Sequence, residues 1–241
     1  MKITLKIKRY NGEKDAQSYF QEFTLEAQPE DRLLDALLAV KTKMDDTLAF
    51  RKSCAHGICG SDAMVVNGVE RLACKTLIRD VVTAESALIT VEPLRSLPVQ
   101  RDLMVRQDAF FEKFRAVKPF LINDEPAGGR ERPQSPEERA RFDDTTNCIL
   151  CAACYSSCPV LRDKDPRFIG PAAIVNAARF LFDSRDRGFA QRLPMLDHED
   201  GVWPCENHFN CTRVCPRGIK VTKNINATKA QIKTFREKDG S

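Results

Sequence analysis

Every one of the ten cysteines in this 241-residue chain falls into one of three spaced groups. Cys54, Cys59 and Cys74 lie in the first third. Cys148, Cys151, Cys154 and Cys158 follow as C-x2-C-x2-C-x3-C, with Pro159 behind them. Cys205, Cys211 and Cys215 come last, again with a proline, Pro216, after the final one. The opening residues, MKITLKIKRYNGEKD, alternate apolar and basic side chains and hold no apolar h-region, so no secretory signal is expected. Thiols in an unexported chain serve metals rather than disulfides, because a reducing compartment disfavours structural bridges.

The first group reads SCAHGICGSDAMVVNGVERLAC. Plant-type ferredoxins hold a 2Fe–2S cluster with C-x4-C-x2-C and a distant fourth cysteine. Cys54-x4-Cys59 fits that spacing, and Cys74 is the distant ligand. The third position carries Asp62, a harder oxygen donor that can still bind iron. Gly57 and Gly60 suit a loop that wraps closely around inorganic sulfide. Zinc is the competing reading, since three thiolates and one carboxylate also suit a tetrahedral site. The glycine-bearing x4 loop favours iron. His56, inside that loop, reads as exposed rather than ligating.

Bacterial ferredoxins repeat C-x2-C-x2-C-x3-C-Pro, and the fourth cysteine of each run ligates the other cluster. The run from Cys148 is intact. The second, CENHFNCTRVCP, keeps the register with His208 at its second position. Cross-ligation then assigns Cys148, Cys151, Cys154 and Cys215 to a 4Fe–4S cluster. Cys158, Cys205 and Cys211 are left with one corner lacking a thiolate, the ligand set of a 3Fe–4S cluster. A fourth iron on His208, or zinc in both sites, are the alternatives. A chain that commits all its thiols in this way is most simply a short electron wire.

Around these groups the chain reads as an ordinary soluble protein, with 42% apolar and 30% charged residues and a net charge of +4. That charge is too small to imply a nucleic-acid partner. No run approaches 18 apolar residues, so no membrane span is expected. Residues 3–9 and 20–25 read as antiparallel strands, and 31–45 as a helix capped by Asp31. Residues 64–66 and 72–75 read as strands flanking an Asn67-Gly68 hairpin, and 88–91 as a last strand. The fold expected is α+β. A plant-ferredoxin-like β-grasp domain over 1–98 joins an all-α, bacterial-ferredoxin-like domain over 99–241. Phe110, Phe111 and Phe114 share a helical face ended by Pro119, residues 124–139 form a polar loop, and 171–183 and 221–238 are helical. The seven Lys or Arg from Arg217 onward, against two acids, read as a solvated face or, as a second reading, one near an anionic membrane surface.

SCAHGICGSD, the LAC around Cys74, CILCAACYSSCP, FIGPAA at 168–173 and CENHFNCTRVCPRG together resemble the iron–sulfur subunit of succinate dehydrogenase and fumarate reductase, the respiratory complex II family. The resemblance covers nearly the whole chain, and some members carry Asp at the position of Asp62. It implies a partner flavoprotein whose covalent FAD oxidises succinate to fumarate. Electrons then pass through 2Fe–2S, 4Fe–4S and 3Fe–4S clusters to a membrane quinone, held with haem where present by anchor subunits. It further implies a peripheral place on the cytoplasmic face of the cell membrane, and a subunit of quinol:fumarate reductase as the alternative. Ubiquinone-reducing members often place Trp where Arg162 stands and His where Glu206 stands, so menaquinone is an option beside ubiquinone. Pro159, Arg162, Trp203 and His208 are the residues expected near the quinone.

Overall fold

In the computed structural model, residues 1–83, 86–126, 129 and 131–239 are described. Ala127, Gly128 and Arg130 of the polar loop lie outside them. Contacts divide the chain into two compact units: residues 1–107 with 149–157, and residues 108–148 with 158–241.

The first unit is built on a five-stranded sheet of order β2-β1-β5-β3-β4. Strand β1 (Lys2–Arg9) places Ile3, Leu5 and Ile7 on one face, all at most 1% exposed, while its lysines alternate on the other. Period-two patterning of this kind fixes register, since a slip of one residue would turn all three apolar chains to solvent. Strand β2 (Tyr19–Glu26) pairs antiparallel with β1, Leu5 opposite Phe23. Helix α1 (Leu33–Lys43) follows and buries Leu33, Leu34, Leu37 and Val40. Strands β3 (Ala63–Val66) and β4 (Val69–Leu72) form a hairpin. Its turn residues Asn67 and Gly68 have φ of 48° and 81°, as a two-residue turn of the primed type requires. Strand β5 (Leu88–Glu92) runs parallel to β1 and antiparallel to β3. Strands β6 (Val99–Arg101) and β7 (Met104–Val105) form a separate ribbon.

Two local expectations change. The reading of 72–75 as strand gives way to a strand that ends at Leu72, followed by a tight 3₁₀ turn over Ala73–Lys75. The backbone N–H of Ala73 is taken by the Asp62 carbonyl and that of Cys74 by the Asp62 carboxylate, so the chain bends toward that acid instead of pairing on. Asp31 does not cap α1. Arg32 holds the cap position and gives its N–H to Asp35, while Asp31 accepts from Gln28 N–H at 2.7 Å. The first unit runs to Gln107 before it takes in 149–157. The buried Arg9 guanidinium donates to Asp102 at 3.1 Å, and Asp102 also accepts from the N–H groups of Tyr10 and Ala49. This network holds the β6–β7 ribbon to the end of β1.

The second unit is helical. Helix α2 (Asp108–Ala116) carries Phe110, Phe111 and Phe114, in edge-to-face contacts at 5.2 and 6.3 Å. Within the polar loop, α3 (Pro136–Ala140) is nucleated by a capping box, Ser135 Oγ accepting from Glu138 N–H and the Glu138 carboxylate from Ser135 N–H. Helix α4 (Ala153–Ser156) is a single turn that belongs to the first unit. Helix α5 (Pro171–Leu181) is buried on nearly every face and is the core of the second unit, packed by α2, by α6 (Phe189–Leu196) and by the last helix. After the short α7 (Asn210–Arg213) comes α8 (Val221–Asp239), whose lysines point largely outward as the sequence suggests. No helix among the described residues is long and apolar enough to cross a membrane.

Candidate metal centres

The loop from Cys54 to Asp62 has three left-handed residues, Ala55, Gly57 and Gly60, with φ of 58°, 82° and 67°. These reversals turn backbone N–H groups inward. Those of His56, Ile58 and Cys59 reach Cys54 Sγ at 3.5, 3.4 and 3.3 Å. The His56 N–H foremost, then those of Cys59 and Ile58, pull the Cys54 thiol down to about 6. His56 turns its ring back to the Cys54 carbonyl at 2.5 Å and is exposed.

Opposite lies Cys74, 1% exposed, whose thiol is pushed up to about 12 by burial and then by the neighbouring Asp62. Asp62 itself is 2% exposed. One carboxylate oxygen accepts from Cys74 N–H at 2.6 Å, and the other, Oδ1, has no hydrogen-bond partner among the described residues. An unpartnered buried carboxylate oxygen beside a buried thiol is costly unless a cation takes both. The donor set of Cys54, Cys59, Cys74 and Asp62 therefore suits a metal group, and it sits in a loop with the inward N–H groups that a sulfide-bearing cluster needs.

The two later runs share one backbone design. Left-handed residues fall at Leu150 and Ala152 in the first run, with φ of 54° and 63°. They recur at Asn207 and Phe209 in the second, with φ of 59° and 62°. Each pair lies at the same offsets from Cys148 and from Cys205. One-turn helices follow at matching places, α4 carrying Cys154 and α7 carrying Cys211. Four non-glycine residues in a sparsely populated region argue that the loop conformation is imposed by what it encloses. In this register His208 stands where the first run has Cys151. Asn176 from α5 donates toward Cys148 Sγ at 3.5 Å.

Cys158, Cys205 and Cys211 line one cavity, with Pro159, Val160, Phe168, Pro171 and Ile225 supplying apolar wall. Burial pushes the thiols of Cys158 and Cys211 up. Cys211 Sγ lies 3.6 Å from Thr222 Oγ1, and Lys229 holds the Cys205 carbonyl at 2.8 Å. His208 also borders the cavity, but its Nε2 is 3.0 Å from Glu206, which two short contacts from Lys164 hold in turn.

Of the residues expected near a quinone, Pro159 and His208 border this cavity and Arg162 and Trp203 do not. Arg162 pairs with Asp163 at the surface. Trp203 gives its indole N–H to Asp197 at 2.8 Å, and Arg236 of α8 lies 5.1 Å from its ring centre. The sequence reading missed Asn176, Thr222 and Lys229. They come from helices distant in sequence, and their types carry no signal without the fold. A separate trio, His198, Glu199 and Asp200, is close enough to suggest a metal, but Arg167 already lies 3.8 and 3.4 Å from the two acids.

Family comparisons agree with this arrangement. A profile described as "2Fe-2S iron-sulfur cluster binding domain" matches residues 4–112, and one described as "4Fe-4S dicluster domain" matches 144–219. The succinate dehydrogenase iron-sulfur subunit of Coxiella burnetii is 40% identical, over 95% of this chain and 97% of its own length. The fumarate reductase iron-sulfur subunit of Mycobacterium tuberculosis is also 40% identical, over 90% of this chain and 87% of its own. A solved chain described as "Mycobacterium smegmatis Sdh1 complex in the apo form" superposes with a TM-score of 0.87 at 28% identity, covering 98% of this chain and 97% of that one. With its ferredoxin-like sheet, its duplicated cysteine loops and relatives matched almost end to end, the chain belongs to the electron-transferring iron–sulfur subunits of succinate dehydrogenases and fumarate reductases.

Proposed function

We propose that this subunit carries electrons from a flavoprotein that oxidises succinate to fumarate, through three clusters, to a membrane quinone. Cys54, Cys59, Cys74 and Asp62 hold 2Fe–2S. Cys148, Cys151, Cys154 and Cys215 hold 4Fe–4S. Cys158, Cys205 and Cys211 hold 3Fe–4S. Bound clusters supply one-electron steps, and the chain does no chemistry on the dicarboxylate. Its own residues set the environment: inward N–H groups at Cys54, a carboxylate at Asp62, and apolar walls around Cys158 and Cys211.

The observation that carries this reading is the repeated left-handed loop, which puts His208 in register with a cysteine ligand while its ring nitrogen is engaged by Glu206. That leaves three thiols at the last site and supports 3Fe–4S over a fourth iron there. The remaining partners in this reading are membrane-anchor subunits, with haem where they carry it, at the cytoplasmic face. Menaquinone or ubiquinone would be met near Pro159 and His208. The second reading, quinol:fumarate reductase, has its own support, because relatives of both names match at 40% identity.

Low-temperature EPR with iron and zinc analysis on the anaerobically purified protein tests the assignment. About nine irons per chain are expected, from clusters of two, four and three irons. They should come with an oxidised 3Fe–4S signal and a reduced 2Fe–2S signal. About ten irons without the oxidised signal would place a fourth iron at His208. Zinc without iron would remove the respiratory reading.

A further inference from the structure

Gly60 closes the loop that carries Cys54 and Cys59, with φ of +67°. A Cβ built on it would lie 2.7 Å from Cys151 Cβ, 3.0 Å from Cys151 Cα and 3.2 Å from the Ile149 carbonyl oxygen. Two of those three atoms are backbone, so nothing can swing aside. The first cysteine loop therefore lies with bare backbone directly on the next one, at a residue read as a cluster ligand.

A second contact presses the two together. Ser156, fully buried at the end of α4, donates to the buried Glu70 of β4 at 2.9 Å and accepts from Arg95 N–H at 2.7 Å. Arg95 also places its guanidinium 3.9 Å from Glu70. Segment 149–157 is thus gripped at Cys151 by Gly60 and at Ser156 by Glu70 and Arg95.

We propose that Gly60 is a spacing residue for electron exchange: its missing side chain lets the Cys54–Asp62 loop rest on Cys151, and any side chain there would push the two redox groups apart. The step moves one electron. The reduced group held by Cys54, Cys59, Asp62 and Cys74 is oxidised, the oxidised group held through Cys151 is reduced, and no bond or proton moves. The inference rests on the reading of these loops as 2Fe–2S and 4Fe–4S carriers.

The test uses the full chain, loaded anaerobically with iron and sulfide and fully reduced with dithionite. In that state both groups are paramagnetic, and the nearby second group speeds the spin relaxation of the first. The readout is the microwave-power saturation of the 2Fe–2S signal, beside iron and sulfide content. Gly60→Ala should load both groups and lose most of the relaxation enhancement. Gly68→Ala is the control. It carries the same left-handed backbone, with φ of +81°, but lies outside both cysteine loops, and its Cβ would meet nothing within 4 Å. It should keep the enhancement. Ser156→Ala, which alters neither cysteine loop's ligands, should weaken the enhancement in the same direction as Gly60→Ala.

Wild-type enhancement in a fully loaded Gly60→Ala protein would overturn the proposal, as would an equal loss in Gly68→Ala. Should Gly60→Ala fail to load its first group, Ser156→Ala decides: a reduced enhancement supports the spacing role and an unchanged one removes it. A wild-type chain that takes up no iron would sink the reading beneath, a failure distinct from the loss of the spacing role alone.

Discussion

Asp62 shows how one residue's state depends on what it faces. Its Oδ2 is satisfied by Cys74 N–H, and its Oδ1 has no hydrogen-bond partner among the described residues. Replacing it with cysteine exchanges a hard donor for a soft thiolate, so Asp62→Cys should keep the first cluster and lower its reduction potential. Redox titration followed by EPR reads the shift, and an unchanged potential would place Asp62 off the iron. Arg192 makes a different case. Its side chain is 0% exposed and pairs with Asp186, 2% exposed, at 2.7 Å, while also donating to the carbonyls of Lys118 and Phe120. Removing one member of such a pair strands the other. Arg192→Ala should cost about 3–5 kcal/mol in chemical denaturation. Arg192→Lys should recover only part of that, because an ammonium cannot span the same three acceptors with a fixed fork.

At the scale of elements, β1 is tied to its surroundings by charge as well as by its apolar face. Arg9 at the end of β1 reaches Asp45 at 2.6 Å, past the end of α1. The Thr47 hydroxyl first, and then Arg9, holds the Asp45 carboxyl down at about 2. A carboxyl depressed in the folded state stabilises fully above its unfolded value and loses that contribution as pH falls through its folded value. The window is therefore from about pH 4 down to about pH 2. Asp45 is partly open to water, so the contribution is on the order of 1 kcal/mol. In the iron-free chain, where acid loss of clusters cannot contribute, Asp45→Asn should flatten the acid limb of first-unit stability in urea unfolding. A limb as steep as wild type would mean that Asp45 plays no part in it. Elements also show where patterning is legible. The alternation of β1 and the Asn67-Gly68 turn are local, and both are found as read. The Ser135-x-x-Glu138 box was equally local and signals α3, yet the prolines and glycines around it masked a helix of only five residues.

For the whole molecule, the two units differ in what their core is built from. The first has a sheet and α1 with fully buried leucines and valines, whereas the second is threaded by loops that carry Cys148, Cys158, Cys205, Cys211 and Cys215. Loops that close on a metal group lose that anchor when it is removed, because metal binding couples to folding. Stripping iron with a chelator should therefore expose residues 108–148 and 158–241 to protease before the sheet of the first unit. Equal cleavage of both would contradict this. The cysteine-bearing loops were legible because the spacing of their cysteines encodes the loop each must form. Glu70 with Ser156, Gly60 with Cys151, and Arg9 with Asp102 were not, since they are separated by some eighty or ninety positions that no periodicity connects. The grouping of 149–157 with the first unit follows from those same contacts. Sequence by itself determined the spacing of the three cysteine groups, the alternation of β1, the Asn67-Gly68 hairpin and the family, because cysteine spacing and hydrophobic period are local properties of a chain. Tertiary structure alone decided which backbone touches which ligand, which acid is left with an empty oxygen and which aromatic stays away from the last cavity, because burial and contact exist only once distant segments have met.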